Sequence, residues 1–392
     1  MDRPLLNRRL AEFGTTIFAE MSALAVRTGA INLGQGFPDT DGPEEVREAA
    51  VRALRDGRGN QYPPGPGVPE LRYAVAAHQE RFYGHLGVTC DPETEVLVTA
   101  GATEAIAASL LALLEPGDEV IALEPYYDSY AACIAMAGAT RVPVTLRADA
   151  ATGSYTLDLD ELRNAVTDRT RLILLNTPHN PTGTVLTREE LAEIARLACE
   201  RDLLVITDEV YEHLVFEGEH LPLASFPGMH ERTVTISSAG KTFSFTGWKV
   251  GWVTAAPELV AAVRSAKQFL TYVSAGPFQY AVAEALALPD SYYTGLRDTL
   301  RAQRDVLADG LADAGFQVFR PAGTYFITTD IRPLGESDGF AFCRALPERA
   351  GVVAIPNAVF YDHKDQGTPF VRFAFCKSVS VLEEAVSRLK AL

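Results

Sequence analysis

Four polar segments of the chain carry side chains that could bind and transform a ligand. Each one follows a short apolar run of the kind that forms a buried strand. Open parallel sheets bind ligands at the carboxyl ends of their strands, so we expect the four segments to lie close together. They are Thr99-Ala-Gly-Ala-Thr103, Asn176-Thr-Pro-His-Asn180-Pro-Thr-Gly183, Thr207-Asp208-Glu-Val-Tyr211 and Ser237-Ser238-Ala-Gly-Lys241, the last continuing to Lys249.

The first segment has the composition of an anion site at a helix start. Small residues around Ala102 let backbone N–H groups approach an anion, and Thr103 adds a hydroxyl. An ordinary helix N-terminus looks the same, and for this segment taken alone it is the favoured interpretation.

The second and third segments each present one constrained polar side chain. Pro178 and Pro181 flank Asn180, which preorganises the loop around a single amide. Asp208 ends an apolar run, so a buried carboxylate that needs a cationic partner is expected there. A rigid turn and a surface carboxylate are the purely structural alternatives.

The fourth segment holds two of the six lysines in the chain. No lysine precedes Lys241, and Lys249 follows it among glycines and aromatic residues. A Gly-Lys loop alone is more often solvent-exposed. Its coincidence with three other polar strand ends favours a ligand-binding site.

The elements that must position these segments alternate between helix and strand. Helical patterns at 43–55, 69–82, 102–114 and 187–200 are interspersed with apolar runs at 95–99, 119–123, 172–175, 203–206 and 234–236. Such runs predict an α/β fold with a mostly parallel sheet covered by helices on both faces. Longer helices and further strands after about residue 274 predict a smaller α+β domain.

Composition narrows the classes of function. The 392 residues include 35 Lys+Arg and 51 Asp+Glu, and the net charge of -16 argues against nucleic acid or anionic membrane as partners. The longest apolar run, 105–114, is too short to span a bilayer, and no secretory signal is visible. Five scattered cysteines without C-x-x-C spacing, and histidines without H-E-x-x-H, favour a cytoplasmic protein without a metal site.

Motifs of other common enzyme classes do not occur. No G-x-G-x-x-G follows an apolar run, and neither a P-loop nor G-x-S-x-G is present. Nicotinamide binding, P-loop hydrolysis and α/β-hydrolase chemistry therefore lose their main sequence support.

Together the motifs resemble the fold-type I, pyridoxal-phosphate-dependent class I/II aminotransferases over nearly the whole chain. The most specific are Asn180-Pro-Thr-Gly183, Asp208-Glu-Val-Tyr211 and Ser238-Ala-Gly-Lys241. Asn32-Leu-Gly-Gln-Gly36-Phe-Pro-Asp39 and Asn60-Gln-Tyr62-Pro-Pro-Gly-Pro-Gly67 resemble the branch of kynurenine/glutamine and N-succinyldiaminopimelate aminotransferases. Glu124-Pro-Tyr-Tyr127-Asp-Ser-Tyr130 looks closest to the actinobacterial N-succinyldiaminopimelate enzymes.

The resemblance implies roles around the ring of pyridoxal 5'-phosphate. Lys241 would bond to the cofactor aldehyde and later carry the substrate Cα proton. Asp208 would keep the ring nitrogen protonated. Tyr211 and Asn180 would hydrogen-bond the ring oxygen, and Tyr127 would stack on the ring.

The resemblance also implies the phosphate and substrate contacts. Ala102, Thr103, Ser238 and Lys249 would hold the phosphate, and Tyr62 would reach it from the partner subunit of a homodimer. Arg372 would bind the substrate α-carboxylate, with help from the Gly36 N–H group. Without the other motifs, Arg372 reads as a surface arginine at a strand edge.

The expected organisation has three parts. Residues 1–40 form an N-terminal arm, 41–285 a large cofactor-binding domain and 286–392 a small C-terminal domain. The expected activity is transfer of an amino group from an L-amino acid to a 2-oxo acid by a ping-pong mechanism. A β-eliminating C–S lyase on the same fold is the alternative.

A cofactor-binding regulator would need an N-terminal DNA-binding segment, for which no room is expected before Asn32. The sequence leaves the identity of the substrate open. Aromatic residues expected near the mouth suit either an aromatic side chain or the long N-succinyldiaminopimelate chain. These residues are Phe13, Phe37, Tyr62, Tyr127 and Tyr325.

Overall fold

A computed structural model describes residues 5–14 and 16–392 of the chain. The strands are β1 (Ile31–Asn32), β2 (Val96–Thr99), β3 (Glu119–Glu124), β4 (Thr140–Asp149), β5 (Ser154–Leu157), β6 (Thr170–Asn176), β7 (Leu204–Asp208), β8 (Thr233–Ser238), β9 (Gly251–Thr254), β10 (Gln317–Phe319), β11 (Phe326–Asp330), β12 (Val352–Val353), β13 (Ile355–Pro356) and β14 (Phe370–Ala374).

The α-helices lie between and around these strands. They are α1 (Ile17–Thr28), α2 (Glu44–Arg55), α3 (Pro69–Tyr83), α4 (Gly101–Leu113), α5 (Asp128–Ala137), α6 (Leu159–Asn164), α7 (Arg188–Glu200), α8 (Ala239–Thr242), α9 (Pro257–Leu270), α10 (Gly276–Leu286), α11 (Asp290–Asp313), α12 (Gly339–Ala350), α13 (Lys364–Gly367) and α14 (Val379–Leu389). None of those in the described residues is long and apolar enough to cross a membrane.

The large sheet has the strand order β2-β9-β8-β7-β6-β3-β4-β5. Strands β4, β3, β6, β7 and β8 are parallel, whereas β9 runs antiparallel to β2 and β8, and β5 runs antiparallel to β4. The predicted mostly parallel sheet is confirmed. Because β2 is parallel to β8, the carboxyl ends of β2, β3, β6, β7 and β8 share one edge of the sheet.

Helices bury both faces of this sheet. Successive residues of a strand point to opposite faces, and the strands therefore need apolar residues at every position. In β7, Ile206 packs with α4, α5 and α9, whereas Val205 packs with α7 on the other face. This two-sided burial explains the unbroken apolar runs in the sequence. Thr187 and Glu190 form a capping box at the start of α7.

A smaller, antiparallel sheet has the order β10-β11-β14-β13 and packs with α1, α11, α12 and α14. The N-terminal strand β1 pairs in parallel with β12, so the N-terminal segment joins the C-terminal part of the chain. The α+β character of this part is confirmed. The domain boundaries near residues 40 and 285 stay a prediction.

Candidate active site

A cavity of about 370 Å³ lies at the edge of the large sheet where the strands end. It brings together nearly all residues that the sequence singled out, although they come from segments far apart in the chain. The predicted residues that line it are Gly36, Ala102, Thr103, Tyr127, Asn180, Asp208, Tyr211, Ser238, Lys241, Lys249 and Arg372.

Tyr62 is the one predicted site residue outside this cavity. Its side chain is 82% exposed, and its ring meets the ring of Tyr272 edge-on with centroids 5.5 Å apart. It lines a separate groove with residues 273–276. The expected contact with a partner subunit stays a prediction, since the structure describes a single chain.

Lys241 follows β8 on the short helix α8 and points into the cavity. Its Nζ donates a hydrogen bond to the Tyr325 hydroxyl at 2.8 Å. Burial lowers the pKa of Lys241 to about 8, because the surroundings disfavour the charged ammonium. A substantial fraction of this amine is therefore neutral near pH 8, as a nucleophile or a base requires.

Asp208 lies at the end of β7 and is only 5% exposed. Burial raises the pKa of its carboxyl group to about 6, while the hydrogen bond from Tyr130 works in the opposite direction. The Tyr130 hydroxyl donates to Oδ2 at 2.6 Å. No lysine or arginine in the described residues forms an ion pair with Asp208. A buried carboxylate of this kind suits a cationic ligand.

Tyr130 is a site residue that the sequence analysis did not single out. It lies in the first turn of α5, three residues after Tyr127, which is the N-cap residue of this helix. Both side chains therefore face the cavity. The signal was this spacing, since a residue in the first turn of α5 lies close to the N-cap residue Tyr127.

Asn180 is held by contacts on both sides. Its backbone N–H donates to Asn176 Oδ1 at 2.7 Å, and its own Oδ1 accepts from Arg372 Nη1 at 2.9 Å. Asn176, a second residue that was missed, also donates from Nδ2 to the Asp208 carbonyl at 2.7 Å. Because Asn180 Oδ1 faces Arg372, its Nδ2 donors are left to bind a ligand acceptor.

Arg372 lies in β14 and is 1% exposed. The alternative interpretation, that Arg372 is a surface arginine, is therefore excluded. Its guanidinium lies 4.0 Å from the ring centroid of Phe326, and Nη2 donates to the Gly34 carbonyl at 3.1 Å. Nε has no hydrogen-bond partner in the described residues. Burial lowers the pKa of Arg372 to about 10. A guanidinium with an unused donor at a cavity wall suits a carboxylate ligand.

The start of α4 forms an anion site with Lys249. The Glu104 side chain accepts from the Ala100 N–H at 2.6 Å, so it does not occupy the N–H groups of the first helical turn. A Cβ at Gly101 would lie 3.1 Å from Lys249 Nζ, and one at Gly251 would lie 2.6 Å from the Gly101 carbonyl carbon. These glycines let the Lys249 ammonium approach the positive end of α4, which suits a phosphate.

The aromatic lining differs from the expected one. Of the five aromatic residues placed near the mouth, Tyr127 lines the cavity, whereas Phe13 and Phe37 do not. Tyr325 is 1% exposed and lies behind Lys241. Phe18 of α1 and Phe326 of β11 line the cavity instead.

Comparison with known proteins agrees with this geometry. Residues 28–389 match the family model described as aminotransferase class I and II. A probable N-succinyldiaminopimelate aminotransferase of Mycobacterium tuberculosis is 56% identical over 98% of both chains. The methionine aminotransferase of Escherichia coli is 39% identical over the full length of both. The solved structure of N-succinyldiaminopimelate aminotransferase from M. tuberculosis superposes with a TM-score of 0.95 at 57% identity, covering 98% of this chain and 99% of that one.

Enzymes of this family use pyridoxal 5'-phosphate, and the cavity fits that cofactor. The anion site at α4 suits its phosphate, the buried Asp208 suits its ring nitrogen, and the Lys241 amine suits its aldehyde. The chain belongs to the class I and II aminotransferases.

Proposed function

We propose that this aminotransferase moves an amino group between N-succinyldiaminopimelate and a 2-oxo acid in two ping-pong half-reactions. The choice of substrate rests on sequence identity. The chain is 56% identical to the mycobacterial relative of that name, against 39% to the methionine enzyme, each over at least 98% of both chains.

The charges of the cavity limit how this substrate binds. The cations among the described residues that line the cavity are Lys241, Lys249 and Arg372. They are assigned to the cofactor aldehyde, the phosphate and the substrate α-carboxylate, respectively. The succinyl carboxylate at the far end of the substrate therefore extends past this lining to the rim. The aromatic rings of Phe18 and Phe326 flank the path for the apolar middle of the chain.

The cofactor, when bound, supplies an aldehyde that carries the amino group and a ring that withdraws electrons. Lys241 would hold the cofactor through that aldehyde, and its free Nζ would accept the proton from the substrate Cα. Asp208 would keep the ring nitrogen protonated through its negative charge. Tyr211 and Asn180 Nδ2 would donate hydrogen bonds to the ring oxygen, and Tyr127 would pack against the ring.

The remaining residues bind the two anionic ends of the bound molecules. The N–H groups of Ala102 and Thr103, the Ser238 hydroxyl and the Lys249 ammonium would hold the phosphate. Arg372 and the Gly36 N–H group hold the substrate α-carboxylate, which orients the Cα–H bond toward Lys241.

A panel of amino donors tests the choice of substrate. We expect kcat/KM for N-succinyldiaminopimelate to exceed the values for kynurenine, methionine and glutamine by at least about tenfold, since a site shaped for a particular chain gains roughly 1.4 kcal/mol or more from it. Equal or higher kcat/KM for kynurenine or methionine would contradict the proposal and leave a broad-specificity aminotransferase.

We also propose that two chains form a homodimer with shared active sites. The support is a surface, here called the aromatic edge, whose residues are Tyr62, Phe269, Leu270 and Tyr272. Tyr62 and Phe269 are 82% and 85% exposed, which is unusual for aromatic rings on the surface of an isolated chain. Covering these rings with a second copy removes them from water and brings the Tyr62 hydroxyl to the partner's phosphate.

Sedimentation velocity and cofactor titration test the dimer. We expect a particle of two 42.4 kDa chains, and Tyr62→Phe should weaken cofactor binding by about tenfold because a hydrogen bond to a charged phosphate is lost. Tyr73→Phe, which changes another exposed tyrosine, is the control and should bind normally. A fully active single chain, or unchanged cofactor affinity in Tyr62→Phe, would contradict the shared site.

The expected compartment is the cytoplasm. Cys90, Cys133, Cys199, Cys343 and Cys376 are all unpaired, as the reducing cytoplasm favours. Recovery of the native enzyme mainly from an extracellular fraction would contradict this assignment.

A further inference from the structure

Tyr325 contacts the Lys241 amine and has no role in the chemistry described so far. Its hydroxyl oxygen is 2.8 Å from Lys241 Nζ and 2.5 Å from the Gly36 carbonyl oxygen. A tyrosine hydroxyl carries one hydrogen, and a carbonyl oxygen can only accept. The Tyr325 hydrogen therefore goes to Gly36, and the Tyr325 oxygen accepts a hydrogen bond from Lys241.

This direction decides how the Lys241 amine is oriented. A neutral primary amine has two N–H bonds and one lone pair. One N–H points to Tyr325, and the Gly36 carbonyl oxygen lies 3.4 Å from Nζ on the same side. The two oxygens are neighbours, so one N–H direction serves both of them, and neither oxygen occupies the lone pair of the amine.

The backbone holds Tyr325 in this position. The preceding residue, Thr324, has φ of 67°, which is a strained conformation for a β-branched residue. It is fixed by the hydrogen bond from the Thr324 N–H to the Leu214 carbonyl at 2.8 Å. The Tyr325 ring meets the Tyr211 ring at 89° with centroids 5.3 Å apart. Such strain persists where the surrounding contacts require one particular placement.

We propose that Tyr325 is a positioning residue for Lys241. Because the Tyr325 hydroxyl donates its hydrogen to Gly36, it acts toward Nζ only as an acceptor and leaves the lysine lone pair free to take the substrate Cα proton. A hydroxyl that donated to Nζ would occupy that lone pair. The inference rests on the proposed role of Lys241 as the group that moves the proton. It extends that role to a residue that does not line the cavity.

The first test uses Tyr325→Phe holoenzyme, which keeps the ring and removes the acceptor. We expect kcat to fall by about 10- to 100-fold while KM for the amino donor changes by less than about threefold, because a misaligned base slows the proton transfer. A donor deuterated at Cα should show a larger kinetic isotope effect than in the wild type. The matched control, Tyr293→Phe, removes a buried tyrosine hydroxyl that donates to the Leu286 carbonyl, outside the cavity. It should change neither quantity.

The second test measures the Lys241 amine in the cofactor-free protein, by the pH dependence of its acylation with acetic anhydride. The hydroxyl oxygen stabilises the ammonium form, so its removal in Tyr325→Phe should move the midpoint to lower pH than in the wild type. If Tyr325→Phe fails to fold, 3-fluorotyrosine at position 325 makes the oxygen a weaker acceptor without changing the packing. Smaller changes in the same directions are then expected.

A Tyr325→Phe enzyme whose kcat, isotope effect and acylation midpoint equal those of the wild type would overturn the inference. The proposed function would survive that outcome as long as Lys241→Ala is inactive. An active Lys241→Ala protein would instead remove the proposed function itself, so the two failures are distinguishable.

Discussion

Replacement of Lys241 by alanine should lower kcat for transamination by at least about 10⁴-fold, since both the amine that bonds to the cofactor and the base that moves the Cα proton are lost. The other cavity lysine cannot take over. Lys249 Nζ lies at the start of α4, where it faces Gly101 and the expected phosphate. The loss should therefore appear in kcat, measured by steady-state transamination with saturating donor and acceptor.

A matched lysine provides the control for this prediction. Lys390 lies near the C-terminus, where it pairs with Asp313 on the surface, and Lys390→Ala should keep kcat within about twofold. Added methylamine should restore part of the activity of Lys241→Ala, because a small free amine can enter the space that the side chain vacates. A Lys241→Ala protein with the wild-type rate would refute the assignment of Lys241.

The second large effect is expected for Asp208→Asn, with kcat lower by about 10²- to 10³-fold. Asparagine has the same shape as aspartate and no charge, so it cannot hold the proton on the cofactor ring nitrogen. The control, Asp313→Asn, changes a surface carboxylate and should leave kcat unchanged. An Asp208→Asn enzyme with normal kcat would show that the ring nitrogen is not protonated by this group.

The raised pKa of Asp208 also predicts that the cofactor-free Asp208→Asn protein is more stable than the cofactor-free wild type. Its pKa is raised to about 6 from the usual value of 3.8, so the buried charge costs the folded state free energy that appears as pH rises from about 4 to about 6. Above pH 6 the Asp208→Asn protein, which carries no charge at this position, should be more stable than the wild type by up to about 3 kcal/mol. Denaturant unfolding of the two cofactor-free proteins at pH 5 and pH 7.5 measures this, and equal stability at pH 7.5 would contradict it.

The local signals in the sequence predict most of the sheet and most of the cavity. Strands buried on both faces show unbroken apolar runs, and that is why β6, β7 and β8 could be predicted together with the polar residues at their ends. The short strand β9 and the hairpin of β4 and β5 show no such run. Strand β4 carries Thr140, Arg141 and Thr145 and is only partly buried, so its pattern is weak.

The contacts that Tyr325 and Phe18 make with distant parts of the chain could not be predicted from local patterns. Tyr325 and Lys241 are 84 residues apart. Tyr325 precedes β11 of the small sheet, whereas Lys241 follows β8 of the large sheet. The position of Phe18 could not be predicted either. Phe18 lies in α1 and lines the cavity, and β1, which follows α1, pairs with β12 in the C-terminal part of the chain. Tyr130 is different, because its spacing from Tyr127 was visible in the sequence.

The absorption spectrum of the holoenzyme gives the most direct test of the central claim, that Lys241 carries transamination in this cavity. Wild-type enzyme mixed with N-succinyldiaminopimelate alone should lose its yellow colour in a single half-reaction and regain it when a 2-oxo acid is added, whereas Lys241→Ala should not complete this cycle. Release of pyruvate and ammonia from cystathionine without any 2-oxo acid would identify a C–S lyase. A wild-type spectrum that no amino donor changes, or a Lys241→Ala protein that completes the cycle at the wild-type rate, would contradict the account.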